Sequence, residues 1–261
     1  MPVTIVTGGT FGLGLAITLE LARRGHQVVA IGLSRPQVSS TAEGTEGLRL
    51  ALGGAGLDAE IIEADVSSAT DVECAIANTI KRFGRIDGVV NNAAIGPLGT
   101  ILDTDEALFD RILAVNLKGT YLVSRAALPH MIRNNGGGIV NVGSGAGWGK
   151  PNMAAYAASK GAIVALSMAM AYDHFHDHVR VNVVIPGGGG IISGMSVGRM
   201  HGDVDAFRKK VAPGTAAGRS VSGQDLANAV AFLLSEEAVT ISGTVMDIGC
   251  FAHQGGPVPL K

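Results

Sequence analysis

The most constraining stretch of this chain comes first. Val3-Thr4-Ile5-Val6-Thr7 is a β-branched run that passes directly into Gly8-Gly9-Thr10-Phe11-Gly12-Leu13-Gly14, and Leu15 to Arg24 then follows a helical period. Strand, glycine turn and helix therefore follow one another without a linker. Glycine permits positive φ and close approach of another backbone, and the open N–H groups and dipole at a helix start favour a pyrophosphate. Gly8, Thr10, Phe11, Gly12, Leu13 and Gly14 are thus expected to cradle a dinucleotide; the bland alternative is a tight turn that binds nothing.

The same alternation continues along the chain. Strands are expected at Val3–Val6, Val28–Ile31, Glu60–Glu63, Gly88–Asn91, Ile139–Val142, Val179–Ile185 and Thr244–Ile248. Helices are expected over 12–24, 43–53, 69–83, 105–134, 152–176 and 222–235. The runs are apolar rather than alternating, as strands covered on both faces are. The fold class is α/β, a doubly wound parallel sheet with helices on both faces. Asp103 or Thr104 is expected to cap the long fourth helix, and Ser222 the last one. No linker or fixed-period repeat divides residues 1–261, so one domain is expected, with a substrate loop or lid at about 186–220 where Pro186 and four glycines follow a strand.

Composition excludes several classes of function. With 20 Lys plus Arg against 22 Asp plus Glu, the net charge is −2, which argues against nucleic acid as a partner. Charged residues are only 16% of the chain, so some apolar helix surface is expected to be covered by another subunit, in a homodimer or homotetramer. Cys74 and Cys250 are too few for a disulfide framework, and the N-terminus lacks a signal-peptide pattern, so a cytoplasmic setting is expected. No uninterrupted apolar run approaches 18 residues, so no membrane span is expected.

Cofactor preference turns on the end of the second strand. An Asp or Glu about 20 residues past the glycine turn normally holds a free ribose hydroxyl. Here that count lands on Gly32-Leu33-Ser34-Arg35, and no carboxylate appears before Glu43. Ser34 and Arg35 can meet a phosphate, so NADP is expected ahead of NAD.

Further motifs follow in a specific order: Asn91-Asn92-Ala93-Ala94, Asn116-Leu117-Lys118-Gly119, Ser144 after the fifth strand, and Tyr156-Ala157-Ala158-Ser159-Lys160. Together with Gly8, Gly12 and Gly14, the chain from Val3 to about Gly249 resembles the short-chain dehydrogenase/reductase family. The resemblance implies a single Rossmann-type domain with a seven-stranded parallel sheet, a nicotinamide cofactor, and a Ser144-Tyr156-Lys160 site supported by Asn116. It also places Asp65 and Val66 near the adenine, Asn91 near the adenine ribose, and Asn92, Ala93, Pro186 and Gly187 along the cofactor. Lys160 would hold the nicotinamide ribose as well, and Asn116 would place a water linking Lys160 to solvent.

The chemistry also follows from the residues. Tyr156 and Lys160 are spaced i, i+4 and share a helix face. A tyrosine pKa near 10 is too high for a base at neutral pH, but an adjacent ammonium and an oxidised nicotinamide favour the phenolate. Tyr156 then relays a proton to or from the substrate oxygen, while Ser144 hydrogen-bonds that oxygen. The expected reaction interconverts a secondary alcohol and a ketone; alternatives are an NAD-dependent cyclic alcohol or dihydrodiol dehydrogenase and a non-catalytic cofactor sensor. Some positions depart from the family pattern. The usual Thr after the Pro-Gly is absent unless Ser193 replaces it, Ala94 stands where Gly is common, and Gly249-Cys250 replaces an acidic-Gly ending. His174, His176 and His178 fall where a helix should end, so no metal is expected. Trp148, Met153, Ile191, Ile192, Met195 and Met200 are candidates for an apolar substrate pocket or for packing. The helix of Tyr156 is apolar around its whole axis, and the expectation is that it is buried on both sides, by the sheet on one and by a second subunit on the other.

Overall fold

The computed structural model describes residues 1–33, 44–187, 191, 195 and 215–250. Seven strands, β1 (Val3–Thr7), β2 (Gln27–Gly32), β3 (Glu60–Glu63), β4 (Gly88–Asn91), β5 (Gly137–Val142), β6 (Val179–Ile185) and β7 (Val245–Asp247), form one sheet in the order β3-β2-β1-β4-β5-β6-β7. All six pairings are parallel. The strand order reverses between β1 and β4, which opens a crevice at their carboxyl ends where doubly wound folds bind ligands.

The central strands carry consecutive apolar residues because they serve two cores. Val29, Val89, Ile139 and Val181 face one layer, with Val123 and Met131 of α5 (Gly119–Arg133) and Val72 and Ile76 of α3 (Ala69–Phe83). Val28, Val90 and Val140, each next to one of these in its strand, and Val184 face the other, with Ile17 and Leu21 of α1 (Gly12–Arg23) and Leu226 and Val230 of α7 (Gly223–Leu234). Alternate side chains of a strand point to opposite faces, so a sheet sandwiched by helices needs apolar residues at consecutive positions. A smaller cluster under α2 (Thr45–Ala55) joins Leu48 and Leu52 to Ala30.

Local signals account for the helix ends. Ser68 caps α3 by accepting from the Asp71 N–H, and Gly84 closes it in the left-handed conformation at φ 75°. Ser222 and Asp225 form a full capping box at α7. The expected single helix over 105–134 is instead α4 (Glu106–Leu113), a π-helical turn at Ala114–Lys118, and α5, joined without leaving helical backbone. Its cap is Asp105, which accepts from Leu108 N–H at 2.8 Å, rather than Asp103 or Thr104. Asp103 is engaged elsewhere, accepting from the backbone N–H and hydroxyl of Thr100.

The helix of Tyr156, α6, spans Ala154–Asp173, shorter at both ends than expected. His174 Nδ1 lies 2.8 Å from Asp177 Oδ2, and His178 turns into the left-handed region at φ 59° to start β6. By length and composition α6 could cross a membrane, with a mean hydropathy of 1.3 over 18 residues. It lies instead against β5 and β6, with Tyr156, Ser159, Lys160, Ile163, Ser167 and Met170 buried. Burial on both sides does not occur within one chain: Ala158, Ala165, Ala169 and Tyr172 on the opposite face are exposed.

Candidate active site

The glycine turn between β1 and α1 has the geometry of a cradle. Gly8 and Gly12 lie at φ 61° and 56°, where L side chains are strained. A Cβ on Gly8 would sit 2.9 Å from Asn92 Nδ2, and one on Gly14 only 1.9 Å from the Gly8 carbonyl oxygen. Phe11 caps α1 without a side-chain hydrogen bond, and the first turn carries no acid. The leading N–H groups of α1 are thereby left for an anion, so the residues fit a dinucleotide pyrophosphate.

The floor of that cradle is braced from β4. Asn92 Nδ2 donates to the Thr7 and Gly8 carbonyls at 3.0 and 3.2 Å, while the Asn92 and Ala93 N–H groups both donate to Thr7 Oγ1. Thr7 thus joins the ends of β1 and β4 across the switch point. Asn91 is buried and turned inward, donating to Ser124 Oγ and to Asn141 Oδ1.

Asp65 and Val66 follow β3. Burial works to raise the Asp65 carboxyl, but hydrogen bonds from the Ser67 hydroxyl and N–H and from Arg111 hold it below the ordinary carboxylate value. Arg111 reaches from α4 to Asp65 Oδ2 at 3.2 Å and to Ser67 Oγ at 3.0 Å. Val66 is buried against Gly119, where a Cβ would meet Val66 Cγ2 at 2.9 Å. At the end of β2, Gly32 packs on Thr10, and a Cβ there would lie 2.5 Å from Thr10 Oγ1. That hydroxyl is buried and has no hydrogen-bond partner among the described residues. Ser34 and Arg35 lie outside the described residues, as do Ser193 and most of the expected 186–220 loop; Pro186 and Gly187 follow directly on β6.

Tyr156 and Lys160 lie one turn apart on α6, both buried, with Lys160 Nζ 5.9 Å from the centroid of the Tyr156 ring. Lys160 Nζ donates to the Val142 carbonyl at 2.7 Å, and burial pulls its pKa down to about 8. Ser144 begins a 3-10 turn at Gly145–Trp148 and accepts from Ala146 N–H at 3.2 Å. Two glycines press this turn onto α6. A Cβ on Gly147 would be 3.0 Å from Gly161 N, and one on Gly161 would be 2.9 Å from Gly147 O. Neither glycine is singled out by the sequence motifs, although Gly161 directly follows Lys160.

Asn116 sits fully buried in the π-helical turn. Its Oδ1 accepts from Ile95 N–H at 2.8 Å, and its Nδ2 donates to Ile95 O at 2.9 Å and to Ser159 Oγ at 3.0 Å. Both amide protons are therefore engaged within the protein, and a water could be held only by other atoms of the residue. The structure thus sets Tyr156 and Lys160 one turn apart on α6, ties Asn116 to the same helix through Ser159, and packs the turn that Ser144 begins onto it through Gly147 and Gly161.

Comparison with known proteins gives the family. A family model described as enoyl-(acyl carrier protein) reductase matches residues 8–250. The chain belongs to the short-chain dehydrogenase/reductase family. It is 40% identical to 2-(S)-hydroxypropyl-CoM dehydrogenase 3 of Xanthobacter autotrophicus, over 97% of this chain and 95% of that one. It is 35% identical to 2-(R)-hydroxypropyl-CoM dehydrogenase of the same organism, over 94% and 95%. A short-chain dehydrogenase/reductase from Burkholderia xenovorans superposes with a TM-score of 0.84 at 28% identity, covering 98% of this chain and 97% of that one. The protein is accordingly an oxidoreductase of the short-chain type, and family membership implies use of NAD(P).

Proposed function

We propose that the protein interconverts a secondary alcohol and a ketone, with Tyr156 as the proton carrier and NADP(H) as the favoured cofactor. The observation that carries this reading is the buried Lys160 one helical turn from Tyr156, with its ammonium 5.9 Å from the tyrosine ring. A cation in that position favours the phenolate over the phenol by direct charge attraction in a site shielded from water. When bound, the nicotinamide supplies or accepts the hydride. Tyr156 gives its phenolic proton to the carbonyl oxygen on reduction and removes the hydroxyl proton on oxidation. Ser144 donates a hydrogen bond to that same oxygen and orients it. Gly8, Gly12, Gly14 and the start of α1 hold the pyrophosphate, and Asp65, held by Ser67 and Arg111, meets the adenine.

NADP is supported by the end of β2. The site has no carboxylate at Gly32 or Leu33, and a side chain at Gly32 would displace Thr10. A secondary alcohol is supported by the hydroxypropyl group in the names of both Xanthobacter relatives. Trp148, half exposed in the turn that Ser144 begins, would flank such a substrate. The uncovered apolar face of α6 supports a homodimer or homotetramer, with a groove of about 510 Å³ beside it lined by Leu113, Leu117, Tyr121 and Leu166. Cys74 and Cys250 are unpaired thiols, in keeping with the cytoplasm.

The test combines calorimetric titration with mutagenesis. NADP(H) is expected to bind more tightly than NAD(H), and the reverse order refutes the reading of Gly32. Tyr156→Phe is expected to abolish turnover with cofactor affinity nearly intact; turnover at the native level in that variant refutes the mechanism.

A further inference from the structure

A single buried hydroxyl fastens the helix of Tyr156 to the loop that follows β4. Ser159, with no solvent exposure, donates to the Tyr156 carbonyl at 2.7 Å and accepts from Asn116 Nδ2 at 3.0 Å. Asn116 in turn grips both backbone groups of Ile95. The direction of this chain is set by its protons. Ser159 has one hydrogen, which goes to Tyr156 O, so it can only accept from Asn116; the amide must then present Nδ2 to Ser159 and Oδ1 to the Ile95 N–H. The π-helical turn widens the backbone at Asn116, a device frequent at functional sites.

We propose that Ser159 is a positioning residue that couples the loop at Ile95 to the backbone of Tyr156, so that the phenol is held in its working orientation only while that loop is seated. The proposal rests on Tyr156 as proton carrier. Loss of the hydroxyl strands one proton of a buried amide, and Asn116 turns away to satisfy it, releasing Ile95.

The same helix carries an internal control. Two turns further along, Ser167 donates to the Ile163 carbonyl at 2.6 Å and accepts from Asn141 Nδ2 at 2.8 Å. Chemically this is the same pair, but its hydrogen bonds run to Asn141 of β5 and to Ile163 rather than to Asn116 and Tyr156. A serine that merely steadies the helix would behave alike at both places.

The experiment compares Ser159→Ala with Ser167→Ala in two assays. Amide hydrogen exchange at Ile95 is followed in cofactor-free protein, and oxidation of 2-butanol with NADP+ or NAD+ gives kcat and KM. Ser159→Ala is expected to speed exchange at Ile95 about tenfold and to lower kcat about tenfold, with the KM for cofactor within about twofold of native. Ser167→Ala is expected to change neither, although both lower the melting temperature. Ser159→Thr, which keeps the hydroxyl, is expected to restore both readouts. Unchanged exchange at Ile95 in Ser159→Ala overturns the proposal, as does a kcat equal to that of Ser167→Ala. Should Ser159→Ala fail to fold, Ser159→Cys fills the same space with a weak donor and poor acceptor and is judged by the same two outcomes. The exchange readout needs no cofactor, so it separates failure of this coupling from failure of the Tyr156 mechanism, which Tyr156→Phe reports.

Discussion

Lys160 is asked to be an ammonium inside the protein, and that demand has a measurable cost in stability. Its side chain is buried, and its pKa falls from the ordinary 10.5 to about 8 because burial disfavours the charged form. At pH 7 the lysine carries its proton in both the folded and the unfolded chain, and the full penalty of burying the charge is present. Between about pH 8 and 10.5 the unfolded chain still holds the proton while the folded one has lost it. The unfolded state then binds more protons, so stability rises with pH across that window. At 1.36 kcal/mol per pH unit the whole effect is about 3 kcal/mol. Lys160→Met removes it. The assay is equilibrium urea unfolding of native protein and Lys160→Met from pH 7 to 11, followed as the difference between the two. That difference should move by about 3 kcal/mol in favour of the native protein as pH rises, whatever constant offset the lost Val142 hydrogen bond adds. A flat difference would mean that Lys160 titrates in the folded protein as it does in water, and the account of its burial would be wrong.

Three further outcomes are expected. Gly14→Ala places a Cβ 1.9 Å from the Gly8 carbonyl, so it should abolish cofactor binding in calorimetry and destabilise the fold by roughly 2–4 kcal/mol. His26 hydrogen-bonds Thr4 Oγ1 at 2.8 Å, and burial lowers its pKa below 6.5; the unfolded chain therefore takes up the proton first, and stability should fall as pH drops below 6.5, an effect that His26→Gln should erase in thermal melts between pH 7 and 5. Ser222→Ala breaks the capping box of α7 and should cost about 1 kcal/mol in urea unfolding without altering kcat, because α7 packs with α1 in the core layer opposite the one that takes Met170 and Ala171 of α6.

Much of the site was legible because it depends on spacing within single elements. Tyr156 and Lys160 are one helical turn apart in any helix, and Gly8, Gly12 and Gly14 answer to a turn whose backbone must be bare. What pattern reading missed depends on contacts between elements distant in the chain. The 105–134 segment reads as one helix, whereas the structure interrupts it with a π-helical turn in which Asn116 meets Ile95 and Ser159. Asp103 and Thr104 have the chemistry of caps as good as Asp105, and the Thr100 turn, which occupies Asp103, settles the choice. Gly147 and Gly161 look unremarkable in sequence, yet their mutual approach sets the Ser144 turn against α6.

The sequence by itself determined the strand and helix alternation, the parallel sheet covered on both faces and the bare-backbone turn before α1, and it singled out Tyr156 and Lys160 as the candidates for proton transfer. These follow from periodicity and side-chain chemistry, which are local. Tertiary structure alone decided that Lys160 is buried against the Val142 carbonyl, that Asn116 turns its amide inward onto Ile95 and Ser159, and that Arg111 holds Asp65. Burial and hydrogen-bond direction are properties of neighbours that the chain brings together only on folding, and a lysine pKa of about 8 or a fully engaged amide has no counterpart in the order of residues.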